Sequence, residues 1–113
     1  MNNKRRGSDF ERRVKKELEK HGYLVIKSGG SLGAFDLVAI KLGMRPLGVQ
    51  CKVRHPLISS DEWNELFEQS LEYDMIPILA YRDQKAPYGL FICELTSRRT
   101  KRSRHWPMND FLL

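Results

Sequence analysis

The sequence predicts an α/β fold: a single domain in which helices flank a central mixed β-sheet, with the elements in the order α-β-β-β-α-β-β. Three observations predict it. Two stretches have apolar residues at helical spacing, five short apolar runs lie around them, and glycine, proline or aspartate separates most of the runs. A chain of 113 residues is also long enough for one modest core. We therefore expect residues 1–113 to form one domain, with a basic segment at about 97–105.

The first element is a helix expected over residues 8–21. Ser8 is its expected N-cap, because Glu11 follows three residues later in the spacing of a capping box. Gly22 is the expected stop. The apolar residues recur at every fourth position: Phe10, Val14 and Leu18. At about 100° per residue, Glu11 falls at the margin of this buried stripe, from which its carboxylate can reach the sheet.

Strands are expected at residues 23–27, 35–42, 46–53, 76–82 and 88–95. A second helix over about 60–73, with Ser59 or Ser60 at its start, lies between the third and fourth strands. This order predicts a right-handed crossover between two parallel strands. The other neighbouring strands are expected to form hairpins. No regular element is predicted in residues 96–113.

The charge of the chain points to an anionic partner. The net charge is +6, and lysine and arginine cluster at residues 4–6, 12–16 and 98–105, whereas acids concentrate at 61–74. Such a basic surface is typical of nucleic-acid binding. The alternative is a charge that serves solubility, with a disordered basic tail, and charge alone does not choose between the two.

Other features exclude several classes of protein. No apolar run approaches the roughly 20 residues that span a bilayer, so no membrane partner is expected. The basic N-terminus has no apolar segment behind it and is not a secretory signal, so a cytoplasmic protein is expected. Cys51 and Cys93 lie far apart without the spacing of a zinc site or a disulfide framework, and both are expected to be small core residues.

Polar side chains converge at one place in the expected sheet. Alternation along residues 46–53 puts Gly48, Gln50 and Lys52 on one face. If the preceding hairpin closes near residues 43–44, the residue numbers of each cross-strand pair add up to about 87. Asp36 then lies across from the segment 50–52.

Together with Glu11, this group suits metal-dependent phosphodiester hydrolysis. Carboxylates and an amide oxygen are hard ligands for Mg²⁺, and a neighbouring lysine can position or deprotonate water. The structural alternative is that Asp36 caps a turn, Gln50 and Lys52 form the solvated face of an edge strand, and Glu11 serves only its capping box. Spacing alone leaves the two interpretations even.

Four sequence stretches add a family resemblance: GSDFER (7–12), GYLVIKSGGS (22–31), FDLVAIKLG (35–43) and VQCK (49–52). They resemble the opening motif, the serine-bearing loop, the aspartate strand and the Glu-X-Lys strand of archaeal-type Holliday junction resolvases. These enzymes belong to the PD-(D/E)-X-K nuclease superfamily, so the resemblance implies a restriction-endonuclease-like core.

The resemblance also implies roles for individual residues. The implied catalytic side chains are Glu11, Ser31, Asp36, Gln50 and Lys52. The implied metal ligands are Glu11, Asp36, Gln50 and the backbone carbonyl of Cys51. The basic residues expected on the DNA backbone are Arg5, Arg6, Arg12, Lys27 and Arg54.

The implied activity is that of a homodimer that cuts two opposed strands of a four-way DNA junction, with Mg²⁺ as cofactor, Mn²⁺ expected to substitute, and no organic cofactor. Two residues depart from the family pattern: Gln50 replaces a glutamate and Phe35 replaces a proline. The loop from Ser31 to Asp36 is also shorter than in many members. The residues considered for the dimer surface, with a core position as the alternative, are Trp63, Phe67, Tyr88 and Phe91.

The sequence leaves three other functions open. One is a related nuclease that acts on nicks, flaps or duplex DNA. Another is a non-catalytic junction-binding protein, if Gln50 has removed the metal. The last is a basic nucleic-acid-binding module without a catalytic site. Mg²⁺-dependent cutting separates the enzymes from the binders, and substrate preference separates the two enzymes.

Overall fold

A six-stranded mixed sheet lies between two helices. The computed structural model describes residues 3–28, 33–53, 58–82, 89–100 and 107–113, and for residues 3–6 it describes only the backbone. The elements are α1 (Asn3–Lys20), β1 (Leu24–Lys27), β2 (Leu37–Ile40), β3 (Leu47–Lys52), α2 (Ser60–Glu72), β4 (Ile76–Arg82), β5 (Leu90–Leu95) and β6 (Met108–Asp110). The α/β class predicted from the sequence is confirmed.

The strands follow one another across the sheet in the order β1-β2-β3-β4-β5-β6. The β3–β4 pair is parallel, and α2 connects those two strands, as predicted; the other four pairs are antiparallel. Strand β6 was not predicted. It has only three residues, and its pairing with β5, in which Leu95 lies opposite Met108, stabilises it. A strand this short has too little pattern of its own to be recognised.

Helix α1 begins earlier than its sequence pattern predicts. Because the helix starts at Asn3, Ser8 lies inside it, and the prediction of Ser8 as the N-cap is wrong. Gly7 lies within this helix, which continues through it, because a glycine in a helix costs only about 1 kcal/mol relative to alanine. The predicted end is confirmed: Gly22 has φ +91°, and the amides of Gly22 and Tyr23 donate to the carbonyls of Glu19 and Leu18 in a Schellman motif.

Each face of the sheet packs against one helix. One core cluster joins α1 to the sheet and includes Phe10, Val14, Leu18, Leu37, Ala39, Leu47, Val49, Ile76, Ile78 and Ala80. The cluster on the opposite face joins α2 to the sheet and includes Phe35, Ile58, Trp63, Leu66, Met75, Leu79 and Leu95. No helix in the described ranges is long and apolar enough to cross a membrane.

The β2–β3 register differs by one residue from the expected one. Leu37 pairs with Val49 and Ala39 with Leu47, so paired positions sum to 86 rather than 87. A sum of 87 would have set Leu37 opposite Gln50. The observed register instead puts apolar residues of both strands on the α1 face, because a slip of one residue turns every side chain to the other face.

The two cysteines are free thiols. Cys93 is buried, as predicted. Cys51 is only partly buried, against the α1 cluster.

Candidate active site

Asp36 lies between β1 and β3, immediately before β2 begins. Its amide donates to the carbonyl of Val49 over 2.8 Å, and its carbonyl accepts from the amide of Ser28 over 3.0 Å. Its side-chain Oδ2 accepts from the amide of Cys51 over 2.8 Å. The backbone of Asp36 is therefore held from both neighbouring strands, and the Cys51 amide holds its carboxylate.

The surroundings of Asp36 disfavour its charge in the absence of a cation. Burial raises the pKa of this carboxyl group above its ordinary value. The Cys51 amide and the nearby Lys52 partly oppose that effect, and the negative charge of Glu62 adds to it. A cation bound here would relieve the cost of keeping Asp36 ionised.

Glu11 reaches the same region from α1. Its side chain is only 24% exposed, and it pairs with Lys27 at the end of β1 over 3.7 Å. Burial raises the pKa of Glu11, the charge of Asp36 raises it further, and Lys27 lowers it. The two carboxylates therefore lie close enough to repel each other. Glu11 occupies the margin of the buried face of α1, where the helical spacing puts it.

Gln50 carries a buried side-chain oxygen and precedes Cys51, whose amide binds the Asp36 carboxylate. Leu37 and Val49 form the last pair of the β2–β3 ladder, so Asp36 and Gln50 are the next residues along the two strands, and the Asp36 amide donates to the Val49 carbonyl. Gln50 Oε1 is buried and has no hydrogen-bond partner among the described residues. A buried polar oxygen without a partner is costly, and a bound cation is one arrangement that would satisfy it.

The Cys51 thiol takes no evident part in the site. Burial raises its pKa well above the ordinary value, and the charges of Asp36 and Glu11 raise it further. The thiol is therefore protonated near neutral pH and a poor nucleophile. Cys51 contributes to the site through its backbone, whose amide donates to the Asp36 carboxylate.

Lys52 forms an ion pair with a residue that the sequence patterns did not single out. Its Nζ lies 2.5 Å from Oε2 of Glu62, in the first turn of α2. That hydrogen bond lowers the pKa of Glu62, so Glu62 is ionised at neutral pH. The spacing Ser59-x-x-Glu62 was the available signal, since it marks a helix start shortly after β3 ends.

These residues fit a Mg²⁺ site that draws on more than acids. Within the described part of the chain, no group of three or more His, Cys, Asp or Glu side chains could hold a metal. A site here would therefore need the amide oxygen of Gln50 and the Cys51 carbonyl beside Glu11 and Asp36. All four are hard oxygen donors, the kind that Mg²⁺ prefers.

The other expected site residues are only partly described. Ser31 and Arg54 lie outside the described residues, and Arg5 and Arg6 belong to α1 but have no described side chains. Arg12 is exposed on α1, where it pairs with Asp9 over 3.7 Å. Lys27 is more than half exposed and pairs with Glu11.

The loop that leads into Asp36 is attached to α2. The amide of Ala34 donates to Oε1 of Gln69 over 3.0 Å. Gly33 has φ +64°, and a Cβ at this position would collide with the Gln69 side-chain amide. The end of the loop therefore depends on a glycine and on a polar residue of α2.

Part of the basic segment is also held on α2. The Asn64 side chain accepts from the Arg99 amide over 2.8 Å and donates to the Arg99 carbonyl over 3.0 Å. Trp63 Nε1 donates to the carbonyl of Ser97 over 2.9 Å. Residues 97–100 therefore follow the surface of α2, and residues 101–106 lie outside the described part of the chain.

The model of the archaeal Holliday junction resolvase (Hjc) family matches residues 2–102. The chain belongs to this family. Over 48 residues it is 50% identical to the crossover junction endodeoxyribonuclease Hjc of Methanocaldococcus jannaschii, a match that covers 42% of this chain and 35% of that enzyme. The aligned segment thus spans about a third of the length of that curated relative.

The similarity extends to the three-dimensional structure. The fold matches Hjc of Archaeoglobus fulgidus, described as a Holliday junction resolvase from an archaeal hyperthermophile, with a TM-score of 0.65 and 26% identity. The match covers 82% of this chain and 80% of that one. Membership of the Hjc family, which the four sequence stretches indicated, is confirmed.

Proposed function

We propose that this Hjc-family protein is a structure-selective endodeoxyribonuclease that resolves four-way DNA junctions. The observation that carries the proposal is the meeting of Glu11, Asp36, Gln50 and Lys52 from α1, the start of β2 and the end of β3. Family membership supplies the substrate class. These residues would catalyse the hydrolysis of a phosphodiester bond.

Mg²⁺ is the proposed cofactor, and Mn²⁺ is expected to replace it because it favours the same oxygen ligands. Glu11, Asp36, the amide oxygen of Gln50 and the Cys51 carbonyl would hold it. When bound, such a cation lowers the pKa of a coordinated water and offsets the charge that develops on the phosphate.

The protein's own residues orient the reaction. Backbone hydrogen bonds fix the carboxylate of Asp36, so it needs little rearrangement to act as a ligand. Lys52 projects from the same strand as Gln50, with its cation within the electrostatic reach of Asp36. An ammonium group there stabilises the negative charge of the phosphoryl transition state.

The basic residues bind DNA through phosphates rather than bases. Arg12 and Lys27 are exposed near Glu11, and the chain carries a net charge of +6. Phosphate contacts position a protein on DNA without reading the sequence. Junction selectivity would then come from the shape of the branched substrate. A protein with this substrate is expected in the cytoplasm, or in the host cytoplasm if its source is viral.

The active form is proposed to be a homodimer, since two nicks on opposed strands require two sites related by a two-fold axis. The surface considered for this role from the sequence needs correction, because Trp63 is fully buried and Phe67 packs on the α2 cluster. Phe91 is partly exposed and stacks on Tyr81. Tyr88 lies outside the described residues.

A better candidate for the dimer surface is the β1–β2 hairpin at the sheet edge. Leu24 and Ile40 pair across the hairpin on one face and are 64% and 39% exposed, and Ile26 is 44% exposed. Adjacent exposed apolar side chains of this kind mark interaction surfaces. A Leu24→Lys, Ile26→Lys double variant should be monomeric by analytical ultracentrifugation, whereas the wild type should be dimeric.

Cleavage assays test the enzyme directly. A labelled four-way junction is incubated with wild-type protein in Mg²⁺ or in EDTA, and with the variants Asp36→Asn and Lys52→Met. The proposal expects cleavage by the wild type in Mg²⁺ only, and rates at least about 100-fold lower for both variants, the scale at which removal of an active-site group acts. Cleavage in EDTA, or undiminished cleavage by Asp36→Asn, would contradict it.

The second candidate is a junction-binding protein without catalysis. Gln50 favours it, because an amide in place of a carboxylate removes one negative charge from the metal site. Tight binding of the junction by the wild type, with no cleavage in Mg²⁺ or Mn²⁺, would select this candidate.

A further inference from the structure

We propose that Glu62 is a positioning residue for Lys52: it holds the ammonium group of the lysine at the end of β3, beside Asp36. This inference rests on the proposed nuclease function. It adds a residue from α2 to a site otherwise built from α1 and from the strands β2 and β3.

The contacts of Glu62 come from two directions. One carboxylate oxygen, Oε2, lies 2.5 Å from Lys52 Nζ. The other oxygen, Oε1, accepts from the hydroxyl of Ser59 over 3.3 Å, and the amide of Glu62 donates to the same hydroxyl over 3.1 Å. The cap of α2 thus fixes the rotamer of Glu62, and Glu62 in turn fixes the lysine.

A lysine needs such a partner at this place. Its side chain has four rotatable bonds, and its point charge has no preferred direction, so an unpartnered lysine samples many positions. The Lys52 side chain is 28% exposed, so the surrounding protein does not enclose it completely. The ion pair reduces that freedom while leaving two further N–H donors of the ammonium group for water or phosphate.

The same geometry explains why Glu62 belongs to the site rather than to the surface alone. Lys52 and Glu62 both act on the carboxylate of Asp36, with opposite signs. Glu62 thus contacts Lys52 directly, and the charges of both residues reach Asp36. The loss of a partner that orients a metal ligand typically costs 10- to 100-fold in affinity or activity, and we expect the same scale for a partner that orients Lys52.

The Glu62→Gln variant isolates the charge. Glutamine also fits the third helical position of a capping box, so α2 should keep its start. Glu65→Gln is the matched control, since it removes an equal charge from an exposed position one turn further along α2, and the glutamine oxygen can still accept the 3.3 Å hydrogen bond from Gln69. Junction cleavage is measured at saturating and at limiting substrate in Mg²⁺, and junction affinity is measured separately in EDTA.

The expected result is a kcat lower by roughly 10- to 100-fold for Glu62→Gln, with KM and junction affinity within about two-fold of the wild type. Glu65→Gln should match the wild type. A fall of kcat no larger than that of Glu65→Gln, a rise of kcat, or a loss confined to KM would overturn the proposal. A rise would mean that the ion pair restrains Lys52 instead of presenting it.

A second measurement needs neither substrate nor metal. Urea unfolding of Glu62→Gln, Lys52→Met and the double variant tests whether the two residues act together. The shifts in the unfolding midpoint should be non-additive, with little further change when the second partner is removed. Additive shifts would overturn the proposal. If the wild type does not cut the junction, the proposed function fails, and the unfolding cycle still decides whether Glu62 and Lys52 are coupled.

Discussion

Gln50 is the position where the charge of the proposed metal site can be restored, so Gln50→Glu gives the most informative single substitution. Its oxygen is buried and has no hydrogen-bond partner among the described residues, and Gln50 is next to Cys51, whose amide binds the Asp36 carboxylate. Glutamate has nearly the same size and shape, so the substitution changes the charge with little change in packing. It should therefore alter stability in opposite directions without and with Mg²⁺.

The size of the effect follows from the cross-strand distance. Two like charges about 5 Å apart repel by roughly 3 kcal/mol at an effective dielectric constant of about 20. The positive charge of Lys52 and partial exposure reduce this value, so we expect Gln50→Glu to lose roughly 1–3 kcal/mol in EDTA. For a domain of this size the melting temperature should fall by about 5–15 °C.

Mg²⁺ should stabilise the Gln50→Glu variant more than it stabilises the wild type. A third carboxylate strengthens binding of a divalent cation, so the half-saturating Mg²⁺ concentration in a thermal-shift titration should fall at least about tenfold, which corresponds to ~1.4 kcal/mol. The matched control is Gln50→Met, which has a similar volume but no oxygen ligand. It should be as stable as the wild type in EDTA and should gain less from Mg²⁺.

Two results would refute the reasoning about Gln50. If Gln50→Glu melts at the wild-type temperature in EDTA, the residue does not face Asp36. If wild type, Gln50→Glu and Gln50→Met respond equally to Mg²⁺, the cation binds elsewhere or not at all.

Three further predictions concern the structure around the site. Gly48→Ala should cost about 1–3 kcal/mol in urea unfolding, because a Cβ there would come within 2.5 Å of the Phe35 ring, and unchanged stability would contradict that packing. In EDTA, Asp36 and Glu11 should lower the free energy of unfolding as pH rises from about 4, because their pKa values are raised and the folded state holds protons that the unfolded chain releases, whereas the lowered pKa of Glu62 acts in the opposite direction. Asp36→Asn should make the decline of the unfolding free energy with pH shallower. A pH profile identical to that of the wild type would contradict this prediction. Asn64→Leu should speed hydrogen exchange of the amides in residues 97–100, which its side chain holds, while exchange in β3 serves as the unchanged reference.

Much of the fold could be predicted because local patterns and tertiary packing agree. The spacing of Phe10, Val14 and Leu18 predicts the buried face of α1, and Gly22 marks its end. The start of α1 was misplaced because Ser8 has the spacing of a cap, although the helix continues through it to Asn3. Cap spacing is a local signal, and it can occur inside a longer helix.

The site could be predicted as far as its residues share neighbouring strands. Asp36 contacts Cys51, within the segment 50–52 that the expected hairpin register indicated, even though the register is shifted by one. Glu62 could not be found in this way, because its contact with Lys52 depends on where the crossover puts the first turn of α2. Strand β6 and the anchoring of residues 97–100 depend in the same way on pairing partners distant in sequence.

The proposed activity is selective cleavage of four-way junctions on two opposed strands. The most direct test follows a junction with a differently labelled dye on each strand, beside a linear duplex of the same sequence, after incubation with wild-type protein in Mg²⁺. We expect nicks at symmetric positions on two opposed strands, which separate the junction into two duplexes, and no cutting of the linear DNA. Equal cutting of the linear duplex, or nicks without symmetry, would contradict it.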